Sequence, residues 1–145
     1  MRLTSFTDYG LRALMRMASA PDRAFSTADI ADEFGVSRNH LNKIIQRLAR
    51  HGFVATRRGA GGGAILARPA AEIGLGDIVR LLERDQDLVE CFSPDGACCV
   101  SPVCRLKGKL RAAEAAFLAE LDRVTLADVA LPARLSARAG EEIQA

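Results

Sequence analysis

At 145 residues the chain is long enough for one domain with an appendage and too short for a large multidomain enzyme. Its composition, 49% hydrophobic and 26% charged with no Trp, one Tyr and six Phe, supports a globular core but not an aromatic-rich binding surface. No run free of Asp, Glu, Lys and Arg exceeds nine residues, which argues against a membrane span of about twenty residues or a secretory apolar region and makes a cytoplasmic location the expectation.

The net charge of +2 conceals an uneven distribution. Residues 1–70 carry eleven Lys/Arg against five Asp/Glu, residues 71–104 two against seven, and residues 105–145 seven against six. Between Glu33 and Glu72 there is no acid at all, while seven basic residues fall there.

Along the chain, LTSFTDYGLRALMRMAS places Phe6, Leu11, Leu14, Met15 and Ala18 at the three-four spacing of a helix with one buried face. Ser5 with Asp8 three residues on has the shape of a capping box, Asp standing where Glu or Gln is usual, so the local role read for Asp8 is capping. Ser26 precedes a short helix, TADIADEF; Gly35-Val36 breaks it and Ser37 caps the next, the shape of a helix-turn-helix. At 100° per residue, Leu41, Ile44, Ile45 and Leu48 share one arc of the second helix and Asn39, Lys43, Gln46 and Arg50 the opposite one. A solvated face normally mixes charge signs; this one has no acid, and a polyanion would relieve the repulsion. Arg and Lys suit phosphates or guanine, and Asn and Gln suit adenine.

Phe53–Thr56 and Ala64–Ala67 read as two strands joined by RRGAGGG, a wing whose glycines permit positive φ. A nucleotide-cradling loop is the alternative, but no Lys-Ser/Thr follows and the order is not strand, loop, helix. Candidate DNA contacts are therefore Ser37, Arg38, Asn39, His40, Lys43, Gln46, Arg50, Arg57 and Arg58, the last two for backbone phosphates or the minor groove.

A short helix is expected near Gly76-Asp77, followed by an irregular segment holding Cys91, Cys98, Cys99 and Cys104. The vicinal pair and the lack of a nearby His make a poor zinc knuckle. Three ligands and one spare suit an iron-sulfur cluster, with a fourth iron ligand from elsewhere; a thiol switch, zinc or plain free thiols stay open. From Arg105, residues Leu106, Leu110, Ala113, Phe117 and Leu121 form a two-heptad apolar seam on a helix of roughly five turns. It is read as a dimerisation helix, because the winged segment ahead of it is expected to bury its own small core and palindromic DNA needs a two-fold partner. No Ser-His-Asp, paired-carboxylate or metal-hydrolase constellation stands away from the cysteines, so an enzyme is not expected. The competing class is a thiol-redox or electron-transfer protein whose basic face is incidental.

The runs MRLTSFTDYGLRAL, GVSRNHLNKI, RRGAGGG and SPVCRLK resemble, over roughly residues 1–130, the nitric-oxide-sensing repressors of the Rrf2 family of winged-helix iron-sulfur regulators. The resemblance implies a homodimer paired through the long helix, a palindromic double-stranded operator, nitric oxide as signal and derepression of nitric-oxide detoxification genes. It also implies a 4Fe-4S cluster, with 2Fe-2S as second choice, held by Cys91, Cys98 and Cys104 of one subunit and Asp8 of the partner subunit. Cys99 is additional to that pattern and a possible substitute for Cys98. A family branch that controls cluster biogenesis uses a His shortly after the third Cys; here Arg105, Leu106 and Lys107 follow, and His40 and His51 lie in the DNA-binding segment. An iron-sensing branch shares the three cysteines and the wing. The expected fold is mainly α with a small β wing: a winged helix-turn-helix over 1–70, a short helix and cysteine loop over 71–104, the dimerisation helix and a following short helix over 105–130, and a flexible tail over 131–145.

Overall fold

A computed structural model describes residues 2–132; most of the expected tail, from 133 on, lies outside the described residues. The chain is mostly helical with one two-stranded antiparallel sheet, the winged helix-turn-helix expected from the sequence.

Helix α1 (Ser5–Ala18) runs through the centre, with Ala13, Leu14 and Met17 buried. Its cap is Thr4, not Ser5: the Thr4 hydroxyl oxygen accepts from the Thr7 amide at 3.3 Å. Thr4 also donates from its amide and its hydroxyl to Glu83 Oε1, both at 2.8 Å. That tertiary bond, 79 residues away in sequence, favours Thr4 over its neighbour and is invisible to local pattern. Asp8 accordingly has no capping role and instead forms an exposed pair with Arg12, 2.9 Å apart.

Helix α2 (Thr27–Phe34) is capped by Ser26 and stopped by Gly35, whose φ of 65° is the left-handed conformation that closes a helix. Helix α3 (Arg38–Arg50) is capped by Ser37, which accepts from the His40 amide at 3.0 Å, and buries Leu41, Ile44, Ile45 and Leu48 as the periodicity predicts. Arg16 of α1 is buried, its Nε 3.1 Å from each oxygen of Glu33 on α2, and its guanidinium stacks over the Phe25 ring at 4.9 Å. A buried cation with one carboxylate partner fixes the relative setting of α1 and α2, because separating them would strand the charge.

Strands β1 (Val54–Arg57) and β2 (Gly63–Leu66) pair in register from Val54↔Leu66 to Arg57↔Gly63. Both are displaced by one residue from expectation. The Phe53 amide is taken by the Leu48 carbonyl at 3.0 Å in closing α3, so pairing starts at Val54. Gly63 joins β2 because Phe25 and Ala64 exchange backbone hydrogen bonds of 2.9 and 2.7 Å, drawing the Phe25 carbonyl against Gly63, where a Cβ would collide with it.

Helix α4 (Leu75–Glu83) begins one to two residues before the expected start, and α5 (Arg105–Leu121) follows the cysteine loop. A short 3-10 turn, Leu126–Val129, returns to the segment just before α4: the Leu126 amide bonds to the Ile73 carbonyl at 2.8 Å and Leu126 is fully buried. One hydrophobic cluster contains Leu14 and Ile44 together with Ile73, Ile78, Leu82 and Leu126. The core therefore continues past residue 70: the winged segment does not bury a core by itself, because α4 and the 126–129 turn close it.

At Gly10 a Cβ would press on both Leu82 Cδ1 and Ile44 Cγ2, the latter at 3.2 Å. Gly10→Val should therefore destabilise the protein by about 1–3 kcal/mol through overpacking, read as a lower denaturant midpoint at unchanged slope.

Candidate nucleic-acid interface and cysteine loop

The solvent side of α3 is built as the sequence pattern predicts. Ser37, Arg38, Asn39, Lys43, Gln46 and Arg50 are exposed, and so are Arg57 and Arg58 at the base of the wing turn. The only acid that any of these eight reaches among the described residues is Asp32, 3.4 Å from Arg38 and as exposed as its partner, a contact worth little in water. Positive φ at Gly59 (94°) and Gly61 (73°) turns the wing back, leaving both arginines free.

His40 does not join this face. Its ring lies edge-on to Phe6 at 5.8 Å and to Tyr9 at 5.9 Å, half-buried between α1 and α3, and its Nε2 is buried without a hydrogen-bond partner among the described residues. Periodicity over α3 alone cannot show that two aromatic side chains of α1 come to meet it. Sequence reasoning also passed over Arg47. That side chain is a quarter exposed, lies 4.7 Å over the Phe6 ring and pairs with Asp85 at 2.9 Å. Asp85 belongs to the acidic region, so the charge asymmetry was a signal for this contact, but nothing local gave the pairing.

The cysteine loop spans 84–104 and contains two 3-10 turns, Glu90–Phe92 and Ser101–Val103. Cys91 sits in the first turn and Cys104 stands at the start of α5. Gly96 folds back so tightly that a Cβ there would meet the Glu90 carbonyl, which holds the 93–96 turn against Cys91. All four cysteines are free; Cys91, Cys98 and Cys104 are half-buried and Cys99 is exposed. Among the described residues no three His, Cys, Asp or Glu side chains are gathered closely enough to hold a metal ion. As a donor set, however, three thiols with one spare on a single loop suit iron or an iron-sulfur cluster in softness and number.

The loop is fastened at both ends. At its start, Glu83, the last residue of α4, holds Thr4, and Asp85, within the loop, holds Arg47. After it, Arg111 of α5 lies over Phe92 at 4.9 Å and the Lys107 ammonium donates to Ser101 Oγ at 3.3 Å. The far end of α5 is tied to α4 by a two-pronged pair, Arg80 to both oxygens of Asp122 at 2.6 Å each, lying across Gly76 where a Cβ would displace it. That bond holds the Asp122 carboxyl below its ordinary value and raises the Arg80 guanidinium. Asp128 is likewise lowered, by the Thr125 amide it accepts from at 2.7 Å. No residue of α5 is buried; on its seam Leu106 is 62% exposed, and Val103 just before it 81%. No helix among the described residues is long and apolar enough to cross a membrane.

A family model, Rrf2, described as an iron-dependent transcriptional regulator, matches residues 3–131. The oxidized form of CymR from Staphylococcus aureus is 29% identical, with 90% of this chain and 96% of that one covered and a TM-score of 0.70. IscR of T. potens is 27% identical over 100% of this chain and 92% of its own, with a TM-score of 0.71. CymR (YrzC), the global cysteine regulator of B. subtilis, is 27% identical over 90% of this chain and 96% of its own, with a TM-score of 0.67.

Because Asp122 is lowered in the folded protein, the Arg80–Asp122 tie contributes above the ordinary carboxyl value near 3.8 and is lost as pH falls through the lowered folded value. Melting temperatures of wild type and Asp122→Asn should differ by a constant amount from pH 7 down to about 4 and converge in stronger acid. A gap that is unchanged at pH 2 would show that the pair does not anchor α5.

Proposed function

Since the chain belongs to the Rrf2 family, whose members are DNA-binding transcriptional regulators rather than enzymes and are typically dimeric, we propose that it is a nitric-oxide-sensing repressor of the NsrR kind, binding a palindromic operator as a homodimer. The observation that carries this reading is the placement of four free cysteines on one loop whose ends are bonded to both the DNA-reading module and the long helix. In this reading Cys91, Cys98 and Cys104 hold a 4Fe-4S cluster together with Asp8 of the partner subunit, and Cys99 is the spare. When bound, such a cluster supplies iron that takes up nitric oxide.

The chain's own residues do the rest. Asp8, exposed and held only by Arg12 within its own helix, can exchange that partner for a ligand across the dimer axis. The unburied seam of α5, with Leu106, Leu110 and Phe117, faces its copy. As a ligand, Asp8 would tie α1 of one subunit to the cysteine loop of the other. Because α1 packs on α3, this tie sets the separation of the two recognition helices, which must match half-sites about one DNA turn apart. Loss of that tie would free the separation, weaken operator binding and allow detoxification genes to be transcribed.

A second reading, an iron- or thiol-redox-responsive regulator of the same family, is favoured by one observation: exposed Cys99 directly follows Cys98, a pair suited to thiol exchange. Gel shifts with anaerobically loaded, nitric-oxide-treated and cluster-free protein separate the two. The first reading expects tight operator binding only when loaded; equal affinity in all three states excludes it. Anaerobic native mass spectrometry should show dimers that keep the cluster mass in Cys99→Ala and lose it in Cys98→Ala, while the reverse would make Cys99 the ligand.

A further inference from the structure

Beside the outward stripe of α3 lies a cavity of about 270 Å3 at the corner where α3 meets the end of α4. Lys43, Arg47, Arg50, His51 and Arg84 line it, and no carboxylate does. We infer that this corner is a seat for one phosphate of the DNA backbone, and that Asp85 occupies its arginines when DNA is absent. The inference rests on the reading that α3 faces DNA and adds to it a contact on the α4 side.

Three observations point to a phosphodiester. Lys43 and Arg50 belong both to the stripe and to the cavity, so a duplex lying along α3 passes its mouth. The Arg47 guanidinium lies over the Phe6 ring, 4.7 Å from its centroid, which restrains a planar fork of the kind that grips phosphate oxygens. His51 Nδ1 lies 2.9 Å from the Arg47 carbonyl and turns Nε2 toward Arg84, 3.5 Å away, holding that guanidinium at the rim. The C-terminal end of α3 carries the negative pole of its dipole and would by itself repel an anion. The basic side chains there offset that pole, as they do at other helix C-termini, and Lys43 from the middle of α3 and Arg84 from the end of α4 join them on the same cavity.

Asp85 is the built-in occupant. It lies 2.9 Å from Arg47 and 3.6 Å from Arg84, and its side chain is 59% exposed. A water-exposed pair of this kind is weak, so a phosphate can replace it. Asp85 is also the second residue of the cysteine loop, and a loop displacement that returns it to the arginines therefore competes with the DNA backbone.

The test is titration of duplex DNA at several salt concentrations, using an operator selected from a random pool and a scrambled duplex of equal length. Arg84→Gln should weaken binding to both by a similar factor and lower the slope of log affinity against log salt by about one. Asp85→Asn should strengthen binding to both, a direction that misfolding cannot mimic, and melting curves verify that both variants fold. An unchanged slope in Arg84→Gln, or weaker binding in Asp85→Asn, overturns the seat while leaving the DNA reading intact. Anaerobically loaded wild-type protein that binds neither duplex overturns both.

Discussion

Everything in this molecule is arranged around how closely α1 can approach two helices at one level. Gly10 lets Leu82 of α4 and Ile44 of α3 converge on the same turn, where any side chain would hold one of them off. The absence of a Cβ costs about 1 kcal/mol of helix propensity and is offset by apolar contacts on two sides. Because α3 carries the exposed basic stripe and α4 leads into the cysteine loop, this contact joins the basic and thiol-bearing parts in one core. The boundary drawn at residue 70 separates charges, not packing.

The charge pattern has a structural counterpart at the same junction. The acid-free stretch from Phe34 to Ala71 supplies the cations of α3 and the wing, and the acidic stretch supplies Glu83 and Asp85, which reach back to Thr4 and Arg47. Opposite signs in sequence become two links between the modules. Both lie near the surface, where bonds can be exchanged without unpacking the core.

The helix-turn-helix was legible because each boundary is a local event: Ser26 and Ser37 cap with their own hydroxyls, and Gly35 supplies the one positive φ. The arc of Leu41, Ile44, Ile45 and Leu48 was equally local in origin. Thr4 was missed because its advantage over Ser5 comes from Glu83, far along the chain. His40, grouped with its neighbours Arg38 and Asn39 as a DNA contact, is held inward by Phe6 and Tyr9, which arrive from another helix and leave no mark on the sequence of α3. Buried Arg16 has no sequence signature, since an arginine reads as surface until its Glu33 partner and the Phe25 ring are in place. The cysteines announced themselves by spacing, but spacing does not say how near the thiols stand to one another.

The two backbone hydrogen bonds between Phe25 and Ala64 give the wing a third point of attachment, on the segment that enters α2. A two-stranded ribbon hinged only at its base could flap and trade its own contacts one at a time. Stitched across to Phe25, it travels with α1, α2 and α3 as a single body. In the proposed dimer the surface that one subunit offers to DNA would then have few internal settings to adjust, leaving regulation to act on the spacing between two stiff subunits.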